Sequence, residues 1–308
     1  MSKKRVAVIV GGLSAEREVS LTSGQGALKA LQDQGYDAYL VDWTNDFDAF
    51  RAALTPKPDC AFLGAMHGRW GEDGCLQGLL EILQIPYTNS CVLASALAMD
   101  KAYSRQIFAS AGLPIAKGML AHKDQVMAGG VLPTPYVVKP LREGSSIGVV
   151  IVADESRDLA KCEETWKFGE MVVVEEYIPG KELSVAVMGD KALGVLELAP
   201  KVGFYDYAAK YQDGLTEHHM PARIPADVYE QAKMIALRAH QVLGCEGVSR
   251  ADLRYDDTQG APGRLVLLEV NTQPGLTPLS IVPEIANYNG ISYGELCEWM
   301  VENARRLA

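Results

Sequence analysis

The sequence lacks any pair of cysteines at CxxC spacing; its six thiols, Cys60, Cys75, Cys91, Cys162, Cys245 and Cys297, fall at irregular intervals. A zinc ribbon and a thioredoxin-like redox motif are thereby excluded, and the thiols read as reduced side chains packed as small hydrophobes. Positive charge is scarce: 29 Lys and Arg face 39 Asp and Glu, a net charge of −10 with neutral histidine. That balance, without a long basic run, excludes nucleic acid and an anionic membrane surface as expected partners, while leaving room for a local anion pocket. No apolar run approaches the ~18 residues of a membrane helix. The basic start Met1–Arg5 leads only into Val6–Val10 before Gly11 and Gly12, too short for a signal-peptide core, so the sequence predicts a cytoplasmic protein. Neither GxGxxG nor a GxxxxGKS/T run occurs, which excludes a dinucleotide fingerprint and a P-loop. Internal repeats and low-complexity segments are absent too.

What remains has the composition of a soluble globular chain, 48% hydrophobic and 22% charged over 308 residues, with a length that suits about two domains or three small ones. Arg5–Val10 reads as a buried strand and Ser14–Gln34 as a helix capped by Ser14, with Glu16 and Glu18 in its first turn. Asp37–Val41 and Asp59–Met66 read as strands, Gly74–Leu83 as a helix and Ile85–Thr88 as a short strand. Strands alternating with helices predict a parallel sheet with right-handed crossovers. Helix Asp100–Ala111 then ends at Gly112. The Val-rich runs Tyr136–Lys139, Val149–Val152, Met171–Glu176 and Leu183–Met188, separated by Pro and Gly, predict one small antiparallel sheet. Strands Ala192–Leu198, Gly247–Tyr255 and Leu265–Val270 and helix Ala226–Leu243 form a last region. The fold class is α/β and α+β.

Glu269 and Asn271 stand two apart in a strand and so share a face, as do Arg250 and Asp252 in the strand before. If the two strands are hairpin neighbours, two carboxylates, an amide and a guanidinium converge. Hard oxygen donors on a rigid sheet suit Mg²⁺ completed by substrate phosphates, and an Arg beside them suits a transferring phosphoryl group. An exposed face laced with ion pairs gives the same pattern. Lys139 ends a strand and is followed by Gly144-Ser145-Ser146, small residues that let backbone N–H groups approach phosphate; an ordinary hairpin reads equally well. Glu175–Glu182 is a strand, a Pro179-Gly180 hinge and a new strand, where backbone can pair with an adenine edge and Glu182 with ribose hydroxyls; taken alone, simple surface charge is the favoured reading. Gly203–Tyr211, with three tyrosines and Lys210, suits a lid or a packed Ω-loop. Gly11–Glu16 joins a strand to a helix. Ligands of open α/β sheets sit at the carboxyl ends of strands, so Glu16 can meet a ligand ammonium, or else complement the helix dipole. A lone histidine is more often structural, but His67 lies in a glycine-rich loop on the same sheet edge, which tips the reading toward a ligand contact.

The segments GGLSAEREVS, HGRWGEDG, SALAMDK, VVKPLREGSSIGV, FYDYAAKY, SRADL and LEVNTQPGLTPLS follow one another from Gly11 to Ser280. In this order they resemble the ATP-grasp superfamily and, within it, the D-alanine–D-alanine ligases. The resemblance implies an ATP-grasp fold: an N-terminal parallel-sheet domain over residues 1–95, a small lobe over 96–182 and a C-terminal lobe over 183–308 with the metal site and lid, the two lobes clamping ATP. It implies ATP-dependent ligation of two D-alanines through an acyl phosphate, for peptidoglycan precursor synthesis, with D-lactate or D-serine as second substrate the alternative. By the same resemblance Lys101, Lys139 and Ser146 hold ATP phosphates and Lys210 reaches the γ-phosphate. Glu175, Glu176, Ile178 and Glu182 frame adenine and ribose, largely through backbone at Glu176 and Ile178. Asp252, Glu269 and Asn271 bind two Mg²⁺, for which Mn²⁺ can substitute. Glu16 takes the first D-alanine's ammonium, with His67 near its carboxylate. Arg250 and the Gly275 backbone stabilise the oxyanion, and Ser280 binds the second carboxylate. Glu16, Ser145 and Tyr211 lock lobes and lid together, and Tyr211 favours an amine acceptor. The sequence departs from the family's more usual pattern at Leu279, where a polar residue often precedes the serine. The resemblance also implies a homodimer.

Overall fold

The computed structural model describes residues 3–14, 16–200, 216–260 and 262–306. The run Val6–Val10 has no polar side, and both of its faces are buried. β1 (Arg5–Gly11) lies between β2 (Asp37–Trp43) and β3 (Cys60–Phe62) in a parallel sheet of order β2-β1-β3. Val6, Val8 and Val10 enter one core with Ala27 and Leu31 of α1 (Arg17–Asp33). Ala7 and Ile9 enter another with Phe50 of α2 (Phe47–Ala53) and with Leu76 and Leu80 of α3 (Cys75–Ile82). Helices on both faces explain why β1 is continuously apolar rather than alternating. The start of α1 departs from expectation. Glu16, not Ser14, holds the cap position, and no side chain caps the helix. Ser14 instead donates to the His67 carbonyl and accepts the Glu16 N–H, bracing the strand-to-helix loop. The expected strand Ile85–Thr88 is reduced to bridges from Tyr87 to Ala61 and to Arg305.

After α4 (Val92–Met99) and α5 (Lys101–Ser110) comes an antiparallel sheet of order β4-β7-β5-β6. Its strands are β4 (Gly118–His122), β5 (Tyr136–Pro140), β6 (Val150–Val152) and β7 (Met171–Glu176). α6 (Lys123–Met127) and short helical turns over 155–166 pack on it around Tyr136, Val138, Val152, Val172 and Val174.

Leu183–Met188 does not join this sheet, contrary to expectation. It belongs to β8 (Lys181–Met188), the centre of a second antiparallel sheet of order β10-β9-β8-β11-β12. The other strands are β9 (Lys191–Pro200), β10 (Thr216–His219), β11 (Val248–Asp256) and β12 (Arg264–Asn271). The reason lies in what each strand buries. Leu183, Val185 and Val187 pack with Val228, Ala232 and Ala236 of α7 (Ala226–Val242), while Ala186 turns to the core that β1 begins. α8 (Ile281–Tyr288) and α9 (Tyr293–Glu302) return to that same core through Val282, Ile285, Leu296, Met300 and Val301. Lys3–Glu298 at 2.7 Å and Lys4–Glu302 at 2.8 Å close the seam. Among the described residues, no helix is long and apolar enough to cross a membrane.

Candidate active site

A cavity of about 740 Å³ opens where the carboxyl end of the first sheet, the loop around Ser145 and one face of the large sheet meet. Arg250 and Asp252 of β11 and Asn271 of β12 line it. Arg250 lies opposite Asn271 and Asp252 opposite Glu269, so the hairpin juxtaposition expected from the sequence is present. The register slips between Asp252 and Leu253, a bulge that ends regular pairing beside the patch. Arg250 grips Asp252 with a fork, Nε to Oδ1 at 2.8 Å and Nη2 to Oδ2 at 2.7 Å. Ser184, opposite Asp252 on β8, donates to Oδ1 at 2.7 Å, and Asn271 Nδ2 donates to Oδ2 at 3.0 Å. Asp252 is only 8% exposed. The desolvation that this burial costs is offset by bonds to both oxygens, two of them charge-assisted.

Lys101 begins α5 and points its ammonium 3.3 Å from Glu269 Oε2 while donating to the Glu143 carbonyl at 2.7 Å. The preceding Asp100 caps the helix, accepting the Ala102 and Tyr103 N–H groups, and also takes Arg142 Nε at 2.8 Å. One aspartate thus ties α5 to the loop that follows β5. In that loop Ser145 and Ser146 have φ of +52° and +60°, left-handed values that cost non-glycine residues of order 1 kcal/mol or more each. The turn delivers Ser145 Oγ to Glu16 Oε1 at 2.6 Å, a bond from the loop after β5 to the start of α1. Behind Glu16, His67 Nε2 lies 3.2 Å from Ser23 Oγ, and Nδ1 lies 3.9 Å from Glu72 Oε1. Burial pushes the Glu72 carboxyl above its usual range, with His67 opposing the shift.

Glu175 is almost fully buried, with its two oxygens against Lys139 Nζ and Arg105 Nη1. Glu176 turns away: its carboxylate accepts the Lys117 N–H and Arg264 Nη2, and its own N–H donates to the Lys117 carbonyl. The Ile178 carbonyl accepts Arg254 Nε at 3.0 Å, and Arg254 Nη1 reaches Glu182 Oε2 at 3.2 Å. On the far wall, the Ser280 hydroxyl accepts the Thr277 N–H and lies beside Gly275 in the cavity lining. Lys210 and Tyr211 lie outside the described residues.

Residues 107–302 match the family model described as D-ala D-ala ligase C-terminus. The D-alanine–D-alanine ligase of Paramagnetospirillum magneticum is 55% identical over 98% of this chain and 99% of its own length. That of Parvibaculum lavamentivorans is 53% identical over 98% and 97%. The chain belongs to the D-alanine–D-alanine ligase family. Among solved structures, the Bacillus anthracis D-alanine–D-alanine ligase complexed with ATP superposes with a TM-score of 0.82 at 31% identity, covering 98% of this chain and 97% of that one. The fold is accordingly the ATP-grasp fold of that family.

Set within the ligase family, the residues on the ladder can be tested against Mg²⁺. The donor set is two carboxylates and one amide oxygen on facing strands, with no histidine or cysteine among them. That is the hard, sparse set a phosphate-bound Mg²⁺ takes, and its carboxylates already draw cations, Arg250 and Lys101. Among the described residues no group of three or more His, Cys, Asp or Glu could hold a metal ion by itself, and a Mg²⁺ here would draw further oxygens from a bound phosphate. The residues fit. Three partners of these candidate residues escape a reading of the sequence: Arg105, Ser184 and Arg254. Arg105 carries a faint signal, one helical turn after Lys101 and so on the same face. Ser184 carries none until the partner of β8 is known.

Proposed function

We propose that the chain joins two D-alanines into D-alanyl-D-alanine, with ATP as phosphoryl donor and ADP and phosphate as products, for peptidoglycan precursor synthesis. The observation that carries this reading is the pairing of Arg250 with Asn271 and of Asp252 with Glu269 in one ladder, whose Arg250, Asp252 and Asn271 line a cavity that Glu16 and Ser145 also line. A carboxylate is a poor acyl donor because oxide is a bad leaving group. Phosphorylation by ATP cures this but brings anions together. Lys101, Lys139 and Ser146, with Lys210 of the lid, hold the phosphates. Glu175, Glu176, Ile178 and Glu182 frame the nucleoside. Asp252, Glu269 and Asn271 hold two Mg²⁺, or Mn²⁺ in their place, which supply charge neutralisation for the phosphoryl oxygens.

Glu16 orients the first D-alanine by its ammonium, with His67 near its carboxylate. The carboxylate oxygen attacks the γ-phosphorus, and ADP leaves. The amine of the second D-alanine, anchored by Ser280, attacks the acyl carbon; Arg250 and the Gly275 N–H stabilise the oxyanion, and phosphate leaves with the carbonyl re-formed. Tyr211, with Glu16 and Ser145, closes the lid against water, which would hydrolyse the acyl phosphate. The three units, residues 1–95, 96–182 and 183–308, act as a substrate platform and two ATP-clamping lobes. The working protein is a cytoplasmic homodimer. The test is a reaction with ATP, Mg²⁺, D-alanine and excess D-lactate, read by mass spectrometry. D-alanyl-D-alanine is the expected dominant product. A depsipeptide overturns the acceptor assignment, and absence of ADP overturns the whole reading.

A further inference from the structure

Arg105 has no part in the reaction described above, yet it is fixed to the residues assigned to the nucleotide. Glu175 lies opposite Val137 in the β5–β7 ladder, so Lys139, two residues on, is its diagonal neighbour on the same face. The Lys139 ammonium meets one oxygen of Glu175, and the Arg105 guanidinium meets the other. Side-chain exposure is 3% for Glu175, 12% for Arg105 and 14% for Lys139. Two cations on one sequestered carboxylate leave a positive charge in excess, a costly arrangement unless an anion completes it. Arg105 is held in place independently of any ligand, because Nη2 donates to the Ala116 carbonyl at 2.7 Å.

We propose that Arg105 is a positioning residue for the nucleotide: by occupying one oxygen of Glu175 it leaves the Lys139 ammonium with charge to spare for an ATP phosphate. Without the guanidinium, Lys139 and Glu175 form a closed neutral pair, and phosphate has to compete with a carboxylate for the lysine. The inference rests on the ATP reading above.

Calorimetric titration with ADP, in the absence of D-alanine, tests it on the full-length protein. Arg105→Gln is expected to weaken ADP binding about tenfold, equivalent to about 1.4 kcal/mol, to raise KM for ATP by a similar factor and to leave KM for D-alanine within about twofold. Arg105→Lys keeps a positive charge against Glu175 while losing the guanidinium fork, and is expected to hold ADP affinity to within about threefold of the wild type. An arginine that serves packing alone predicts equal losses in the two variants. Unchanged ADP affinity in Arg105→Gln, or an equal loss in Arg105→Lys, overturns the proposal. Should circular dichroism show Arg105→Gln unfolded, Arg105→Lys decides: affinity within about threefold supports charge sharing, and a loss beyond about tenfold overturns it. Failure of the wild-type protein to bind ADP condemns the ATP reading itself and is distinguishable from all of these.

Discussion

Both oxygens of Asp252 are engaged by the Arg250 fork, Ser184 and Asn271, and Glu269 Oε2 lies 3.3 Å from the Lys101 ammonium. Glu269 lies opposite Asp252 in the β11–β12 ladder, and its replacement probes the metal assignment. Glu269→Gln is expected to lower kcat by at least about 10²-fold with the far-ultraviolet dichroism unchanged; a near-normal rate removes Glu269 from the metal site. The pattern Arg250-Ala-Asp252 was legible in the sequence because strand alternation places both residues on one side without reference to the rest of the fold. Ser184 was not, because which strand lies beside β11 is a long-range fact that a short Val-rich run does not carry. Arg105 stayed hidden for a related reason: its meaning comes from Glu175, 70 residues away.

At the level of elements, α5 and the loop after β5 behave as one unit because Asp100 serves both. Asp100→Ala removes the cap and the Arg142 contact together, while Asp100→Asn keeps a capping oxygen and loses only the ion pair. Loss of an N-cap costs about 1 kcal/mol, and a half-exposed ion pair less. Urea denaturation is expected to place Asp100→Ala about 1–2 kcal/mol below the wild type and Asp100→Asn within about 0.5 kcal/mol. Equal losses in the two variants disprove the division. The parallel sheet was readable because β1 is apolar throughout and is followed by helical patterns. β4 was not: it is an edge strand whose Gly118, Met119 and Leu120 face solvent, so no alternation marks it. The misplacement of Leu183–Met188 has the same origin, since composition identifies a strand but not its sheet.

For the molecule as a whole, stability depends on His240, which lies under the large sheet with Nδ1 2.7 Å from Ser249 Oγ. Burial depresses its pKa from 6.5 to about 4. The unfolded chain takes up the proton first as pH falls, so the fold loses stability from about pH 6.5 down to about pH 4. At 1.36 kcal/mol per pH unit, this contributes a loss of about 2–3 kcal/mol between pH 7 and 4.5. His240→Gln, which can still bond Ser249, is expected to be less stable at pH 7 and to close that gap by the same amount at pH 4.5 in denaturant titrations; a gap independent of pH refutes the assignment. The seam of Lys3 and Lys4 with Glu298 and Glu302, and the residues of α8 and α9 beneath it, have a consequence for birth rather than function. Synthesis proceeds from β1 toward α9, so the opening strands leave the ribosome long before the helices that cover them. Until residue 302 emerges, a nascent chain carries Val6, Val8 and Val10 with part of their cover missing, a span in which a chaperone has an apolar face to hold.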